Sequence, residues 1–467
     1  MELLGLDRLL SSPYSRTTRE MRGAHSRSIR NGKNRSLTKF LLTLVGILTA
    51  CTMWVNIKST VNFTPPGEGA HRSESSNSGL SSGPPVPLPP HEPESLSFKA
   101  NEEPPVQGDN GIAYAISITS CPHAPKGEYS EMYQGAAVLA HSIELAQGQS
   151  KKYKKYKLYA IIHEDAANQE GECVEWAKEL GYEPMIVPTP INVDEIQHDS
   201  LRQKIPNNGC CGEKELIKFY AYTLTSHSLA VHLDIDYLVL RPFDALFDGI
   251  VNGDAKAYYT FDYNMQQPGK QPGVQGGFLV LKPDKDAFDE FNRIVLTKPF
   301  TASSGWDNSR VGGFYGGMTF QGLLPYFYVK LHPDDGIEVD RCLYNTMVDN
   351  PRTKPSERFP EGQCRTGEDT CKDCRVTDIS DIYSAHFTIC QKPWHCMNHE
   401  HMKQPYAPLC SELHKKWHKT RRLLEEKWGT YDTTKYTGNN HEGFCRGGGQ
   451  KGYIDIPRRR WVGGGTE

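Results

Sequence analysis

The sequence predicts an α/β domain with a mainly parallel sheet over residues 110–430 of a 467-residue chain. Two observations carry this. Beyond residue 110, short apolar runs of strand type alternate with stretches of helical spacing, as in a sheet whose strands are joined through helices. Before it, residues 58–109 carry too few large side chains to form a core. Hydrophobic residues make up 37% and charged residues 23%, a globular composition diluted by 42 Gly and 31 Pro that gather toward the two ends. The net charge of −3 gives no electrostatic case for nucleic acid.

Taken in order, the first predicted strand is 112–119, followed by a helix at 135–146, a strand at 157–163, a helix at 172–180 and a strand at 183–188. A helical stretch at 212–226 leads into the strongly apolar strand 229–240, and strands follow at 257–260 and 277–281, then helices at 286–296 and 319–328. Residues 340–378 hold Cys342, Cys364, Cys371 and Cys374 among Pro, Gly and charged residues and read as a disulfide-stapled insertion. Cys371-x-x-Cys374 also suits zinc or redox chemistry, but with only half of a zinc framework in view structural disulfides are the better reading. The last strong strand is 382–388; 411–428 reads as a helix with a solvated basic-acidic face, and the tail 431–467 as too Gly-rich for a core.

The lead has its own organisation. Residues 1–39 hold nine Lys/Arg against three acidic residues, and 40–57, FLLTLVGILTACTMWVNI, carries neither charge nor Pro. That length just reaches what a membrane-spanning helix needs. Arg30, Lys33, Arg35 and Lys39 flank its near side and Trp54 its far end, which orients the N-terminus to the cytosol. The alternatives are a cleaved or organelle-targeting segment, less suited to so long a lead, and a buried core helix. Residues 58–109, Pro-, Ser- and Gly-rich, read as a stem that holds the domain away from the membrane. Of the 13 cysteines only Cys51 lies in the span; the other twelve are an even number, which an oxidising lumen would pair, in a connectivity the sequence leaves open. The Asn62-Phe-Thr sequon would be accessible on that side, whereas Asn34-Arg-Ser would face the cytosol. The expected location is a single-pass type II protein of the Golgi membrane (or ER), with the domain in the lumen.

The strongest chemical signal is Val231-His-Leu-Asp-Ile-Asp-Tyr-Leu-Val-Leu. On a strand, alternate side chains share a face, so Asp234 and Asp236 are expected to point together. Two carboxylates that close repel unless a cation joins them, and hard oxygen ligands suit Mg²⁺ or Mn²⁺. Such an ion stabilises the charge that builds on a departing nucleoside diphosphate in sugar transfer. An Asp-x-Asp alone usually marks a turn or a solvated strand end. Here it interrupts an apolar strand, where carboxylates are costly without a partner.

Three ordered blocks give the sequence a resemblance to a family. Lys218-Phe-Tyr-Ala-Tyr-Thr-Leu followed by the 231–240 block, then Gln275-Gly-Gly-Phe-Leu-Val-Leu-Lys-Pro, then His386-Phe-Thr-Ile-Cys-Gln-Lys-Pro-Trp, together resemble the glycogenin-like glycosyltransferases of family eight. The resemblance covers about 112–395 and implies a GT-A, Rossmann-like nucleotide-diphospho-sugar transferase fold and a retaining reaction. It implies Asp234, Asp236 and His386 as metal ligands, with Mn²⁺ (or Mg²⁺) as cofactor. Lys392 then holds the donor phosphate and Lys218 contacts the donor sugar or phosphate. Thr119 and Ser120 fall where the family binds uracil and ribose. Gln275 and Gly277, with Ile235 between the two aspartates, border the donor sugar, and Asp262 matches an acidic residue after a strand. The partners implied are a UDP-sugar donor and a glycan, glycoprotein or lipid acceptor.

The chain also departs from the pattern. Where the family has Asp-Gln before the Gly-Leu-Leu of a late helix, this chain has Phe320-Gln321, so Phe320 takes the place of an acid tied to catalysis while Gln321 remains. Asp307 lies upstream as a possible substitute, and Ile389 replaces a Gly where backbone approaches phosphate. The insertion at 340–378 separates the aspartates from His386 by more residues than in glycogenin itself. A non-catalytic nucleotide-sugar or glycan-binding protein on the same fold is therefore the competing expectation, and a tethered interaction protein a weaker one.

Overall fold

A computed structural model describes residues 111–122, 131–263, 271–349, 372–396, 408–438, 441–447 and 449–458. All belong to the second of two compact units of the chain, Phe98–Glu467. The expected span at 40–57, the stem at 58–109, both sequons, Cys364 and Cys371 lie outside the described residues. Among the described residues no helix is long and apolar enough to cross a membrane.

The fold is a mixed α/β domain on a seven-stranded sheet. Its strands are β1 (Ile112–Ile118), β2 (Tyr156–His163), β3 (Tyr182–Val187), β4 (Leu229–Leu233), β6 (Ala257–Phe261), β7 (Val274–Leu281) and β8 (Gly336–Glu338), in the spatial order β8-β6-β7-β4-β1-β2-β3. Two short strands, β5 (Tyr237–Val239) and β9 (Ser384–His386), pair antiparallel outside it. β1 runs parallel to β2 and β4, and β2 parallel to β3. The expectation of a mainly parallel sheet holds for this half. β7 reverses direction and is antiparallel to both β4 and β6, so the sheet is mixed. β4 and β7 are buried at every position, as central strands covered on both faces must be. Pro184 is accommodated because β3 is an edge strand and has no outer neighbour needing its N–H.

Helices cover both faces. Tyr114, Ile116, Val231 and Phe278 pack with α1 (Glu131–Gln149), α2 (Cys173–Glu179) and α5 (Pro408–Trp428). Ala115, Ala230, Leu279 and Leu281 pack on the other face with α3 (Lys285–Thr297), α4 (Phe320–Pro325) and the 3₁₀ segment Gly212–Thr223. α3 starts where the Asp284 carboxylate accepts from the Asp286 and Ala287 amides, satisfying donors that a helix start leaves unpaired.

Five sequence expectations change. The single strand at 229–240 breaks into β4 and β5, which belong to different sheets. The helix at 319–328 is α4 followed by a π-helical turn, Tyr326–Leu331, beginning directly after Pro325; proline cannot donate the bond that regular continuation requires. The strand at 382–388 shrinks to β9. The solvated helix is the most instructive miss. α5 buries Leu413, Trp417 and Leu424, and also Arg421 and Glu425, which are fully buried and paired at 2.8 Å. The tail is not free of core residues either: Phe444 and Ile456 are fully buried, and Phe444 lies 3.8 Å beneath the Arg421 guanidinium. A cation stacked on aromatic rings can be buried at a helix position that composition marks as solvated.

Disulfides join Cys121 to Cys173, Cys210 to Cys211, Cys342 to Cys374, Cys390 to Cys410 and Cys396 to Cys445. Cys374 is thus in a structural disulfide, as expected, with Cys342 across the insertion.

Candidate functional site

The strand argument for the two aspartates gives way to a turn. β4 ends at Leu233, Asp234-Ile235-Asp236 turns, and the chain leaves the main sheet as β5. The turn is pinned on both sides. The Asp234 amide donates to the Gly277 carbonyl at 3.1 Å, and the Phe387 amide donates to the Asp236 carbonyl at 2.9 Å. Pairing of β5 with β9 sets His386 opposite Tyr237, next to Asp236. The His386 Nε2 atom comes 3.3 Å from Asp236 Oδ1 and 3.9 Å from Asp234 Oδ2. One ligand atom from each of Asp234, Asp236 and His386 lies within 4.8 Å of the others, an arrangement that can hold a divalent cation.

Gly277 makes the approach possible. A Cβ there would meet the His386 ring, 2.8 Å from Nδ1, and stand 3.0 Å from Asp234 Oδ2. The glycine is required by space.

Two lysines flank the carboxylates. Lys218 Nζ donates to Asp234 Oδ1 at 2.8 Å and to the Gly276 carbonyl at 3.1 Å, with Glu215 Oε1 at 3.8 Å. Lys392 Nζ pairs with Asp236 Oδ2. Burial pushes the His386 imidazole down to about 4, against the pull of Asp234 and helped by the Lys218 charge. It is therefore neutral at neutral pH, as a metal ligand must be, and its buried Nδ1 has no hydrogen-bond partner. Burial opposes the charge on Asp234, yet Lys218, His386 and His232 hold its carboxyl below the ordinary range. Burial likewise opposes the charge on Lys218, but Asp234 and Glu215 raise it. Lys392 is pushed down to about 8 by burial, offset in part by Asp234 and Glu131. Two carboxylates and a neutral imidazole can hold a divalent cation, with two ammonium groups beside them.

The other expected residues are placed as follows. Thr119 and Ser120 follow β1, whose C-terminal end opens at the same sheet edge as that of its parallel neighbour β4; Ser120 Oγ donates to Gln169 Oε1 at 3.3 Å. Ile235 turns its side chain onto α1, where Gly135 leaves room for it. The buried Gln275 Oε1 accepts from the Gly277 amide at 2.7 Å and from Asn345 Nδ2 at 3.2 Å, so its carbonyl braces the glycine. Asp262 follows β6 and its charge acts on His386. Gln321 sits in the first turn of α4, its Cγ 3.2 Å from where a Cβ of Gly276 would be. Phe320 is fully buried against Phe219, with Lys218 Nζ 5.5 Å from its ring centroid. The position that resemblance gives to an acid thus borders the site. Asp307 is engaged elsewhere, with Lys298 at 2.7 Å and Tyr326 at 3.3 Å.

Sequence reasoning missed Glu215, His232 and Glu131. Glu215 stands three residues before Lys218 and accepts from the Thr319 hydroxyl; that spacing was a visible signal. His232, fully buried, shares a 2.8 Å hydrogen bond with Ser117 and is pushed down to about 3 by burial, so it adds no charge at neutral pH. Glu131, at the start of α1, accepts from Trp394 Nε1 at 3.0 Å and meets His395 Nε2 at 3.2 Å, anchoring the late block. Nothing local in the sequence marks that contact. A cavity of about 640 Å³ opens between α1, α5 and the beginnings of β2 and β3, and none of its lining residues belongs to the carboxylate–imidazole cluster.

No protein-family model and no curated protein matches the chain. Solved structures similar to it include the following three. All three are glycosyltransferases. Mouse xyloside xylosyltransferase 1, in its apo form, is 12% identical, over 60% of this chain and 99% of that one, with a TM-score of 0.37. The galactosyltransferase LgtC, in complex with donor and acceptor sugar analogues, is 14% identical over 65% and 95%, with a TM-score of 0.33. The glycosyltransferase GlyE of Streptococcus pneumoniae is 10% identical over 69% and 64%, with a TM-score of 0.36.

Proposed function

We propose that this domain transfers a sugar from a UDP-sugar to an acceptor hydroxyl of a glycan, glycoprotein or lipid, with Mn²⁺ (or Mg²⁺) held by Asp234, Asp236 and His386. The observation that carries this reading is the meeting of those three ligands, from two distant parts of the chain, between Lys218 and Lys392. When bound, the cation supplies positive charge to the departing diphosphate. Lys392, partly buried and paired with Asp236, adds a second positive group that phosphate oxygens would satisfy. Lys218 orients Asp234 and the strand edge at Gly276–Gly277. Thr119 and Ser120 are assigned to the nucleoside, Gln275, Gly277 and Ile235 to the donor sugar, and Asp262 and Gln321 to the reacting face. Retention of anomeric configuration, a luminal domain and a type II anchor in the Golgi or ER complete the reading, on the resemblance and the N-terminal sequence.

The second reading, donor binding without turnover, is favoured by Phe320, an apolar ring where the resemblance expects an acid. A panel of UDP-sugars with Mn²⁺, with and without chelator, separates the two. Hydrolysis or transfer that chelation abolishes supports the enzyme. Calorimetric donor binding with no turnover from any donor supports the second reading, and neither binding nor turnover sinks both.

A further inference from the structure

Two loops near the start of α4 touch each other through glycines. Gly209 and Gly316 both hold left-handed backbone, with φ of 66° and 72°. A Cβ on Gly209 would stand 3.4 Å from Gly316 Cα, 3.2 Å from Glu215 Oε2 and 3.5 Å from Thr319 Oγ1. Only a residue without a side chain lets the two backbones come this close. Polar contacts then fix the pair. The Met318 amide donates to Asn208 Oδ1 at 3.0 Å, the Thr319 amide to the Gly316 carbonyl at 3.1 Å, and Trp306 Nε1 to the Gly317 carbonyl at 2.8 Å. Beside each glycine stands an apolar group that the sugar-transfer reading leaves without a role. After Gly209 comes the Cys210–Cys211 disulfide, with Cys210 exposed and Cys211 half-buried. Before Gly316 comes Tyr315, 44% exposed. Phe314, next to it, is spent on packing against Gly273.

A disulfide between adjacent residues closes a small ring with the peptide bond that joins them. Few torsions remain free in that ring, and its sulfurs and methylenes are at most weak hydrogen-bonding groups. It is a stiff apolar plate. Tyr315 supplies a second plate, an aromatic face with a hydroxyl at its rim. Burial, and then the Glu215 charge, push that hydroxyl above the ordinary tyrosine range, so it stays an uncharged donor at neutral pH. Stiff apolar plates edged by polar groups match a pyranose, whose ring faces are C–H bonds and whose equator is hydroxyls. We propose that the Cys210–Cys211 disulfide and Tyr315 form an acceptor subsite that takes the apolar face of a pyranose, so that the acceptor is the sugar of a glycan chain rather than a protein side chain or a lipid. The proposal rests on the sugar-transfer reading and narrows its acceptor.

The position suits that role. Glu215 lies between the plates and the carboxylate–imidazole cluster. Its Oε2 sits beside Gly209, and its Oε1 is 3.8 Å from Lys218 Nζ, which donates to Asp234 Oδ1 at 2.8 Å. From the other loop, a Cβ on Gly316 would meet Gln321 Oε1 at 2.7 Å, and Gln321 in turn reaches Gly276, the neighbour of Gly277. A sugar held on the plates therefore borders the residues assigned to the donor sugar and the reacting face. Loops already pinned in place lose little freedom when a ligand arrives. The disulfide acts as it stands, in the oxidised state that the other described cysteines share.

The test is saturation-transfer NMR on the purified, oxidised full chain with UDP and Mg²⁺, using methyl and hexyl glycosides of galactose, glucose and xylose as probes. Saturation is expected to concentrate on the C–H protons of one pyranose face. Tyr315→Ala, and Cys210→Ser combined with Cys211→Ser, should each weaken glycoside binding about three- to tenfold, and Tyr315→Trp should restore it. In turnover the same variants should raise the acceptor KM by that factor and leave the donor KM where it was. Glycoside binding indifferent to these substitutions overturns the proposal, as does saturation confined to the hexyl chain. If the cysteine variant does not fold, Tyr315→Ala against Tyr315→Trp decides. The two readings fail separately. UDP-sugar hydrolysis by a chain that binds no glycoside overturns the subsite and keeps the enzyme, whereas glycoside binding that follows the plates without turnover of any donor supports the subsite and sinks sugar transfer.

Discussion

The carboxylate–imidazole cluster and the corner where the C-terminal segment crosses α5 differ in chemistry and in solvent access. The first gathers hard oxygens and one imidazole at the C-terminal end of the central strand β4, between the buried Lys218 and Lys392, whose side chain is 33% exposed. The second gathers the Cys396–Cys445 disulfide and two imidazoles in a dry corner, near a fully buried Arg421 stacked 3.8 Å from Phe444 and 4.8 Å from Tyr453. Open coordination and movable positive charge suit a substrate that arrives and leaves. A disulfide and aromatic walls suit an element that holds chain segments together. The contrast teaches that side-chain chemistry and solvent access together say whether a cluster works or staples.

The contrast can be broken by substitution. The largest expected effect is at the first cluster. Asp236→Asn removes a ligand and frees Lys392, and donor turnover should fall roughly a thousandfold, since metal charge supplies several kcal/mol of transition-state stabilisation. Urea midpoints close to wild type would show that folding is intact; turnover close to wild type would put the reacting centre elsewhere.

The second region should respond the other way. Glu425 accepts from Arg421 at 2.8 Å and from the Tyr436 hydroxyl at 2.6 Å. Glu425→Gln strands a buried guanidinium and should lower unfolding stability by about 3–5 kcal/mol. Replacing both, with Arg421→Met and Glu425→Leu, should recover most of that loss. Denaturant unfolding of the three variants checks it, and equal losses in the single and double variants would contradict the argument.

Lys392→Met sharpens the first half of the comparison. It removes a charge-assisted contact worth about 1.5–3 kcal/mol, roughly 10- to 100-fold in kcat/KM for the donor.

The smallest effect is a pH dependence that belongs to neither cluster. Burial lowers His141, against Glu144 and with Lys427 reinforcing. It also lowers His227, which the Gly111 carbonyl and Glu183 oppose and Lys157 and Lys155 reinforce. Both folded values lie below the unfolded value of about 6.5. Between the two the unfolded chain binds more protons, so stability is complete above about pH 6.5 and falls as the pH drops below it. Unfolding midpoints at about pH 7.5 and about pH 5.5 should differ in that sense; a chain more stable at the lower pH would remove the premise.

Local pattern was enough for most elements, because alternation and helical spacing are properties of neighbouring residues. The strands at 112–118, 156–163 and 274–281 and the helix at 285–297 fall close to where apolar spacing puts them. Pattern failed where a non-local partner decided the outcome. Leu229 to Leu240 reads as one apolar strand, yet it breaks at Asp234 because Gly277 takes one side of the turn and β9 the other. α5 reads as solvated because nothing within it announces that Phe444 and Tyr453 will wall in Arg421.

By itself, then, the sequence determined the kind of domain, its layered order of strands and helices, and three candidate ligands: Asp234 and Asp236 by chemical type and His386 through the family resemblance. Only the tertiary structure decided that these ligands meet, that Glu215 and Glu131 support them, and that His418, His441, Cys396 and Cys445 share one corner. The physical reason is range. Spacing along a strand or helix is set by bonds a few residues long, whereas a site is set by sheet order and by which backbone amides the turns leave to be paired.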